Sequence, residues 1–209
     1  MKFHPRIMTE RQKKVLHRLN EIPQRAGFYL AGGTAVALQL GHRHSVDFDF
    51  FSNQNFDPLE LAATLRDEGL ALEVDQAAEK MLFGSISQVK LSFIYYRYPL
   101  LDELTLYPQY KIMLAGLPDL SAMKLAAITQ RGAKKDFIDL YALLRSGIAL
   151  PEMLSFYQQK YQSKSVAHVL TSLTYFEDAE ADRLPKMHLR ATWREMKNYL
   201  RQQVVNWTF

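Results

Sequence analysis

The feature that most constrains this chain is a glycine pair, Gly32-Gly33, set between a short apolar run and a helical pattern. Phe28–Ala31 predicts a short buried strand, and Thr34–Leu40 predicts a helix that Gly41 ends. Glycines at the start of a helix allow backbone N–H groups to come close to a phosphate. The pair is neither a Walker A loop nor a dinucleotide fingerprint, because the Gly-Lys-Ser/Thr and the third glycine are missing.

Two aspartates follow on the next apolar run, Ser45–Phe51, which predicts a second strand. Side chains on a strand alternate between its faces, so Asp47 and Asp49 are expected to point to the same face. Two like charges side by side are costly unless a cation or a donor neutralises them. Hard oxygen ligands beside a phosphate-binding turn suit Mg²⁺ carrying a nucleoside triphosphate. An EF-hand is excluded, because its glycine and closing glutamate are missing.

Composition narrows the class of protein. The chain has 209 residues, of which 48% are hydrophobic and 23% charged, as in an ordinary globular protein. Zero Cys excludes disulfides, thiolate catalysis and a cysteine zinc site. No apolar run approaches the roughly 20 residues of a membrane span, and the first residues lack the apolar core of a signal peptide. We therefore expect a cytoplasmic protein with no membrane association.

The net charge of +4 is unevenly placed. Residues 1–25 carry seven Lys or Arg against two Glu, and residues 183–201 carry six against one Glu. One interpretation is two solvated helix faces. The other is a docking surface for a polyanion such as RNA, or for an acidic partner. The charge distribution alone does not distinguish solvated helix faces from a docking surface.

The order of elements predicts an α+β fold: a small mixed sheet with flanking helices, followed by a helical bundle. Beyond the first two strands, strands are expected at 71–75, 81–86 and 89–96. Helices are expected at 57–69, 119–130, 134–145, 151–162, 166–179 and 185–205. The two parts are expected to separate near Gly116, giving an α/β domain at 1–116 and a helical domain at 117–209 packed against it.

A second group of chemistry-bearing residues lies in the helical part. Lys124 and Arg131 share a helix face if the helix is continuous, and Asp136 and Asp139 share a face of the next helix. Lys124, among apolar neighbours, is either a lysine that extends to the surface or a phosphate-binding lysine. Asp136 is either a salt-bridge partner or a base acting on an acceptor hydroxyl.

The six histidines show no metal-binding spacing. His42 and His44 flank Arg43 just before the acidic strand, and we expect them at the rim of a site rather than as ligands. A Ser/His/Asp hydrolase is not supported, because no nucleophile elbow is present.

Three groups of residues together resemble the AbiEii/AbiGii toxin family, nucleotidyltransferase-like proteins of the DNA polymerase beta superfamily. The groups are Gly32-Gly33-Thr34-Ala35, then Arg43-x-Ser45-x-Asp47-x-Asp49-x-Phe51, then Lys124, Arg131-Gly132, Lys135-Asp136 and Asp139-Leu140-Tyr141. The resemblance runs from about residue 28 to residue 144.

The resemblance implies a minimal nucleotidyltransferase fold in which Asp47 and Asp49 hold Mg²⁺ or Mn²⁺. It implies a nucleotide-binding role for Lys124 and a catalytic or structuring role for Asp136. The other residues that it implies at the nucleotide are Gly32, Gly33, Thr34, Arg43, Ser45 and Arg131. Family members are the toxin half of toxin–antitoxin or phage-defence pairs, and some add nucleotides to RNA. The resemblance therefore implies an NTP substrate, an antitoxin partner and, as one candidate acceptor, RNA.

The chain departs from the superfamily at one position. A later sheet strand often supplies a third carboxylate, where this chain has Ser92. Asp75 or Asp136 is a candidate substitute. The chain therefore lacks one acid of a full two-metal mechanism at this position, whereas the residues expected to bind the nucleotide are present.

We expect Mg²⁺-dependent transfer of a nucleotidyl group from an NTP to an acceptor hydroxyl, with Asp47, Asp49, Lys124 and Asp136 as the catalytic residues. The chain would then be the toxin of a bacterial toxin–antitoxin or abortive-infection system. The alternative is a catalytically degenerate module of the same fold that binds a nucleotide or an antitoxin. Ser92 favours the alternative, and the intact aspartate pair opposes it.

Overall fold

The predicted α+β class is confirmed by a computed structural model that describes residues 2–208. Its strands are β1 (Tyr29–Ala31), β2 (Phe48–Ser52), β3 (Leu72–Ala78), β4 (Met81–Ile86), β5 (Val89–Tyr95), β6 (Thr105–Tyr107) and β7 (Ile112–Leu114). They form one mixed sheet in the order β3-β4-β5-β2-β1-β7-β6. None of the described helices combines the length and hydrophobicity that a membrane crossing requires.

A short 3₁₀-helix, Pro5–Ile7, precedes ten α-helices among the described residues. The first four are α1 (Glu10–Leu19), α2 (Ile22–Arg25), α3 (Gly32–Leu40) and α4 (Pro58–Asp67). The others follow the sheet: α5 (Leu117–Arg131), α6 (Lys134–Arg145), α7 (Leu150–Tyr161), α8 (Ala167–Thr174), α9 (Glu177–Glu180) and α10 (Trp193–Thr208).

The centre of the sheet has one fully buried face and one half-buried face. On β2 the residues alternate between buried and intermediate, with Phe48 and Phe50 in the core and Asp49 on the other face. Strand β2 runs antiparallel to β1 and parallel to β5, so that Asp49 lies opposite Ala31 on one side and Ser92 on the other. Opposite residues share a face, which places Asp49 and Ser92 on the half-buried face.

Several sequence-based boundaries match the structure closely. Strand β4 and helix α6 have the predicted bounds, and β1 and β5 differ from theirs by one residue. Helix α3 begins at Gly32, two residues earlier than predicted, so the glycine pair forms its first turn rather than a turn before it.

Other predictions of secondary structure were wrong. Strand β2 begins at Phe48, so Asp47 lies just before it rather than within it. The three-residue strands β6 and β7 were missed, since they are too short to show a pattern. The helix predicted from residue 185 begins at Trp193, because the preceding segment is extended and hydrogen-bonds to residues 42–44. Residues 166–179 form two helices, α8 and the start of α9.

The division into domains at 1–116 and 117–209 stays a prediction. The sheet ends with β7, and α5 begins the helical part at Leu117. Helices α5 and α6 both pack on α3, which belongs to the first part. The two parts therefore share a continuous core in the described residues.

A buried ion pair fastens the connection between β5 and β6 to the helices. Lys160 Nζ donates to Asp119 Oδ1 at 2.5 Å and to the carbonyl oxygen of Pro99 at 2.7 Å. The same carboxylate accepts from the backbone N–H groups of Leu101 and Asp102. Both charged side chains are fully buried, so each depends on the other for its neutralisation.

We expect Lys160→Met to lower the free energy of unfolding by about 3–5 kcal/mol, because it leaves a buried carboxylate without its cation. Lys13→Met is the matched control, because Lys13 pairs with Glu10 on the surface and its loss should change little. Urea denaturation of both variants measures the difference. Equal effects of the two substitutions would contradict this account of the connection.

Candidate active site

The junction of β1 and α3 brings a carboxylate close to a helix N-terminus. Gly32 has φ = 64°, in the left-handed region, and a Cβ at this position would lie 2.7 Å from Asp49 Oδ2. Only glycine therefore allows this approach without strain. The N-cap residue Ala31 offers no side-chain cap, so the first N–H groups of α3 remain open to an anion.

Thr34 and Ser45 hold the backbone that leads to Asp47. Thr34 Oγ1 donates to the carbonyl oxygen of Asp47 and lies 2.8 Å from Ser45 Oγ. Both hydroxyl side chains are buried. Their predicted contact with a nucleotide stays a prediction, and in the structure their hydroxyl groups position the acidic segment.

Asp49 carries a carboxylate whose charge the protein does not fully offset. Burial, and to a smaller extent the charge of Asp47, raises the pKa of Asp49. A hydrogen bond from the Ser92 hydroxyl and the charges of Lys124 and Lys135 oppose this rise without cancelling it. An additional cation beside Asp49 would stabilise its ionised form.

The donor set at this position suits Mg²⁺. Among residues 2–208 no group of three or more His, Cys, Asp or Glu side chains could hold a metal ion. Mg²⁺ in nucleotide sites is bound by one or two carboxylates together with substrate phosphates. Asp47 and Asp49 could provide the protein's share of such a set, because Asp49 lies beside the open N-terminus of α3.

Asp139, on α6, is the centre of a buried network next to the glycine pair. Its carboxylate accepts from His42 Nε2 at 2.7 Å, from Arg43 Nε at 2.6 Å and Nη2 at 2.8 Å, and pairs with Lys124 Nζ at 2.7 Å. Although burial acts to raise it, the charges of Lys124 and Arg43 hold the pKa of Asp139 well below its usual range. Burial lowers the pKa of His42, so the neutral imidazole donates from Nε2.

Gly33 is required by this network rather than by a turn. A Cβ at Gly33 would overlap Arg43 Nη2 and come within 3.3 Å of Asp139 Oδ2. The guanidinium is buried and bound in a bidentate manner to Asp139. The predicted nucleotide-binding role of Arg43 therefore stays a prediction. In the structure its guanidinium packs against Gly33 in the first turn of α3.

Lys124 and Arg131 converge on Asp136. Lys124 Nζ donates to Asp136 Oδ1 at 2.9 Å, and Arg131 donates from Nε at 2.7 Å and from Nη2 at 3.0 Å. Lys124 is 4% exposed, whereas the side chain of Arg131 is 56% exposed. Burial acts to raise the pKa of Asp136, but Lys124 and Arg131 lower it overall, which favours a positioning role for this carboxylate over a role as a base.

The structure thus brings most of the predicted site residues together, from α3, β2, α5 and α6. Asp139 and His42 were missed as members of the network. The expectation that His42 lies at a rim was wrong, because its ring is buried against Asp139. The i, i+3 spacing of Asp136 and Asp139 was the available signal, since it places both on one helix face.

Asp75 does not supply the missing third carboxylate in this structure. It is exposed on β3, at the edge of the sheet, and two strands, β4 and β5, separate it from β2 in the strand order. Ser92 occupies the position opposite Asp49. The half-buried face of the central strands therefore presents a hydroxyl group there instead of an acid.

Known proteins match both the sequence and the fold. An uncharacterised protein from Aquifex aeolicus (strain VF5) is 33% identical over 202 residues, which are 95% of this chain and 97% of that protein. MenT4, a nucleotidyltransferase toxin from Mycobacterium tuberculosis H37Rv, has a similar fold with a TM-score of 0.65 at 16% identity, covering 95% of this chain and 82% of that one. JHP933 from Helicobacter pylori has a TM-score of 0.54 at 16% identity, covering 94% and 88%.

The family model for the AbiEii nucleotidyl transferase toxin of type IV toxin–antitoxin systems matches residues 14–209. This match extends well beyond the motifs at 28–144 that suggested the resemblance. It confirms the resemblance and the assignment as an enzyme. The chain belongs to the AbiEii nucleotidyl transferase toxin family, and it is a nucleotidyltransferase.

Proposed function

We propose that the protein transfers a nucleotidyl group from an NTP to an acceptor hydroxyl in a Mg²⁺-dependent reaction. The observation that carries the proposal is the Asp49 carboxylate, which is partly buried, has a raised pKa and lies against the uncapped N-terminus of α3. An acid that destabilises the fold is expected where a ligand compensates it. A metal-bound triphosphate supplies both the cation for Asp49 and the anion for α3.

Asp47 and Asp49 would hold the metal, with Mn²⁺ as a possible replacement for Mg²⁺. When bound, the cation supplies positive charge that offsets the negative charge of the phosphates during transfer. The N–H groups at Gly32 and Gly33 would bind the phosphates that leave. Thr34 and Ser45 would act by holding the backbone of Asp47.

The cations of the site would act in two ways. Arg131 is half exposed and uses Nε and Nη2 on Asp136, so its remaining edge can contact a phosphate directly. Lys124 and Arg43 are buried and held by carboxylates, so they would contribute charge and rigidity rather than direct contacts. Asp136 would keep Arg131 and Lys124 in place.

In the reaction the acceptor oxygen attacks the α-phosphorus, and the bond from this atom to the oxygen bridging to the β-phosphorus breaks. Pyrophosphate leaves, and the hydroxyl proton passes to solvent. The attacking and leaving oxygens lie roughly in line. The protein's part is mainly positioning and electrostatic stabilisation.

We further propose that the acceptor is RNA and that an antitoxin protein controls the enzyme in the cell. The basic segments at 1–25 and 183–201 suit a polyanion. The family to which the chain belongs is that of a type IV toxin–antitoxin system, and an abortive-infection role against phage is one use of such a pair. Growth arrest on expression, relieved by substitution of the two aspartates, would support the toxin role.

We expect Asp47→Ala and Asp49→Asn each to reduce incorporation of labelled NTP by about 100-fold or more, because a metal contributes several kcal/mol to the transition state. Asp75→Asn is the control, because Asp75 is exposed on β3. Each NTP is incubated with Mg²⁺ and with total RNA or protein as acceptor. Tight NTP binding without incorporation into any acceptor would favour the degenerate-module alternative.

A folding measurement separates this effect from misfolding. The raised pKa of Asp49 means that its ionised form destabilises the metal-free protein above the usual aspartate pKa. Asp49→Asn should therefore melt at a higher temperature than the metal-free parent while losing activity. Full activity in this variant would rule out Asp49 as a metal ligand.

We expect Ser92→Ala to shift the acidic limb of the pH–activity profile upwards by about one pH unit. The Ser92 hydroxyl donates to the Asp49 carboxylate and lowers its pKa, and a hydrogen bond to a charged group contributes on the order of 1.5–3 kcal/mol. Activity requires ionised Asp49, so a higher pKa moves its onset to higher pH. Initial rates across the acidic range, with melting curves as a folding control, test this, and an unchanged limb would contradict it.

We expect Arg131→Gln to raise KM for the NTP by about ten-fold, because one charge-assisted contact with a phosphate is lost. Stability should change little, since Lys124 still neutralises Asp136. Arg194→Gln, an exposed change on α10, is the control for loss of one positive charge. Identical KM values for the two variants would show that Arg131 does not contact the nucleotide.

A further inference from the structure

A strip of apolar side chains lies beside Asp49 on the half-buried face of the sheet. Strand β5 pairs with β2, and β4 pairs with β5. The register places Ser92 opposite Asp49 and Phe83 opposite Ser92. Ile94 and Met81 form the next pair on the same face, two residues away along β5 and β4. Adjacent strands are about 4.8 Å apart, so the backbone of Phe83 lies about 10 Å from that of Asp49. We call Phe83, Ile94 and Met81 the acceptor strip.

The acceptor strip is apolar without belonging to the core. Phe83 and Ile94 are half-buried and Met81 is 37% exposed, and none of them is part of the hydrophobic cluster of the described residues. Phe83 makes no ring contact with another aromatic side chain in residues 2–207. On the opposite face of the same strands, Leu82 and Phe93 are fully buried.

The geometry of nucleotidyl transfer indicates the side of β2 from which the acceptor approaches. The uncapped N-terminus of α3 follows β1, on one side of β2, and the acceptor strip lies on the other side. If pyrophosphate leaves towards α3, the in-line arrangement brings the acceptor oxygen in from the opposite direction. That direction is the β5 and β4 side, over Ser92 and Phe83.

The side chains of the acceptor strip suit a flat aromatic ligand. Aromatic side chains on a sheet surface are the usual platforms for unpaired bases, because every base offers a π-face to stack on. We infer that the acceptor strip binds the unpaired terminal nucleobase of an RNA acceptor, which stacks on Phe83 while its terminal hydroxyl faces Asp49. This inference rests on the proposed function and names the part of the acceptor that the enzyme recognises.

We expect Phe83→Ala to raise KM for a short single-stranded RNA acceptor about ten-fold or more, as loss of one base–aromatic stack does. KM for the NTP should not change. Phe83→Trp should restore acceptor binding, since tryptophan also stacks. Leu106→Ala is the control, because Leu106 is an exposed apolar residue on β6, at the far edge of the sheet.

Two measurements on binding do not depend on turnover. RNA ending in 2-aminopurine should be quenched by the parent protein and by Phe83→Trp, but not by Phe83→Ala. RNA ending in 4-thiouridine should crosslink, in the unaltered protein, to the peptide that contains Phe83. A crosslink confined to other peptides, or quenching that survives in Phe83→Ala, would overturn the inference, as would an acceptor that proves to be a protein.

The outcomes also separate this inference from the proposed function. Loss of quenching in Phe83→Ala together with full incorporation by Asp49→Asn would support base stacking on Phe83 and contradict the metal-dependent mechanism. Loss of incorporation in Asp49→Asn with unchanged acceptor binding in Phe83→Ala would do the reverse.

Discussion

The Asp139 carboxylate is the interaction on which the rest of the site depends. It is fully buried, and it binds Arg43, His42 and Lys124 at once. An isolated buried carboxylate would be very costly, and the cost falls only when its oxygens are satisfied and its charge is paired. Arg43 packs against Gly33 of α3, and Asp139 of α6 also binds Lys124 of α5. This one network therefore sets the position of α3 relative to α5 and α6.

Asp49 is in the opposite electrostatic state, although it lies in the same region. Cations hold the pKa of Asp139 low, whereas burial and Asp47 raise the pKa of Asp49. Two carboxylates whose environments push their pKa values apart serve different purposes. The charge of Asp139 is neutralised within the protein by Arg43 and Lys124, whereas the charge of Asp49 is not fully offset. This contrast is the physical reason for proposing the metal at Asp49 rather than at Asp136 and Asp139 on α6.

Local patterns in the sequence predicted the elements that carry the site. The glycine pair after an apolar run, the alternation around Asp49, and the helix that contains Asp136 all reflect interactions between neighbours in the chain. The predicted start of strand β2 was wrong, because residues 45–47 do not pair with the sheet. The Thr34 hydroxyl hydrogen-bonds to Ser45 and to the backbone of Asp47 instead. The segment before Trp193 looked helical, but its backbone groups hydrogen-bond to residues 42–44, and tertiary contacts override local preference in this way.

The sequence by itself determined the class of fold, the strand–glycine–helix unit and the pair of acids at 47 and 49, since all of these depend on residues close together in the chain. Only the tertiary structure decided which charges are paired. Asp139 and His42 are 97 positions apart, and no periodicity reports a contact over that separation. The structure also decided that Ser92 faces Asp49 and that Phe83 lies beyond it, because strand order and register are set by packing of the whole sheet.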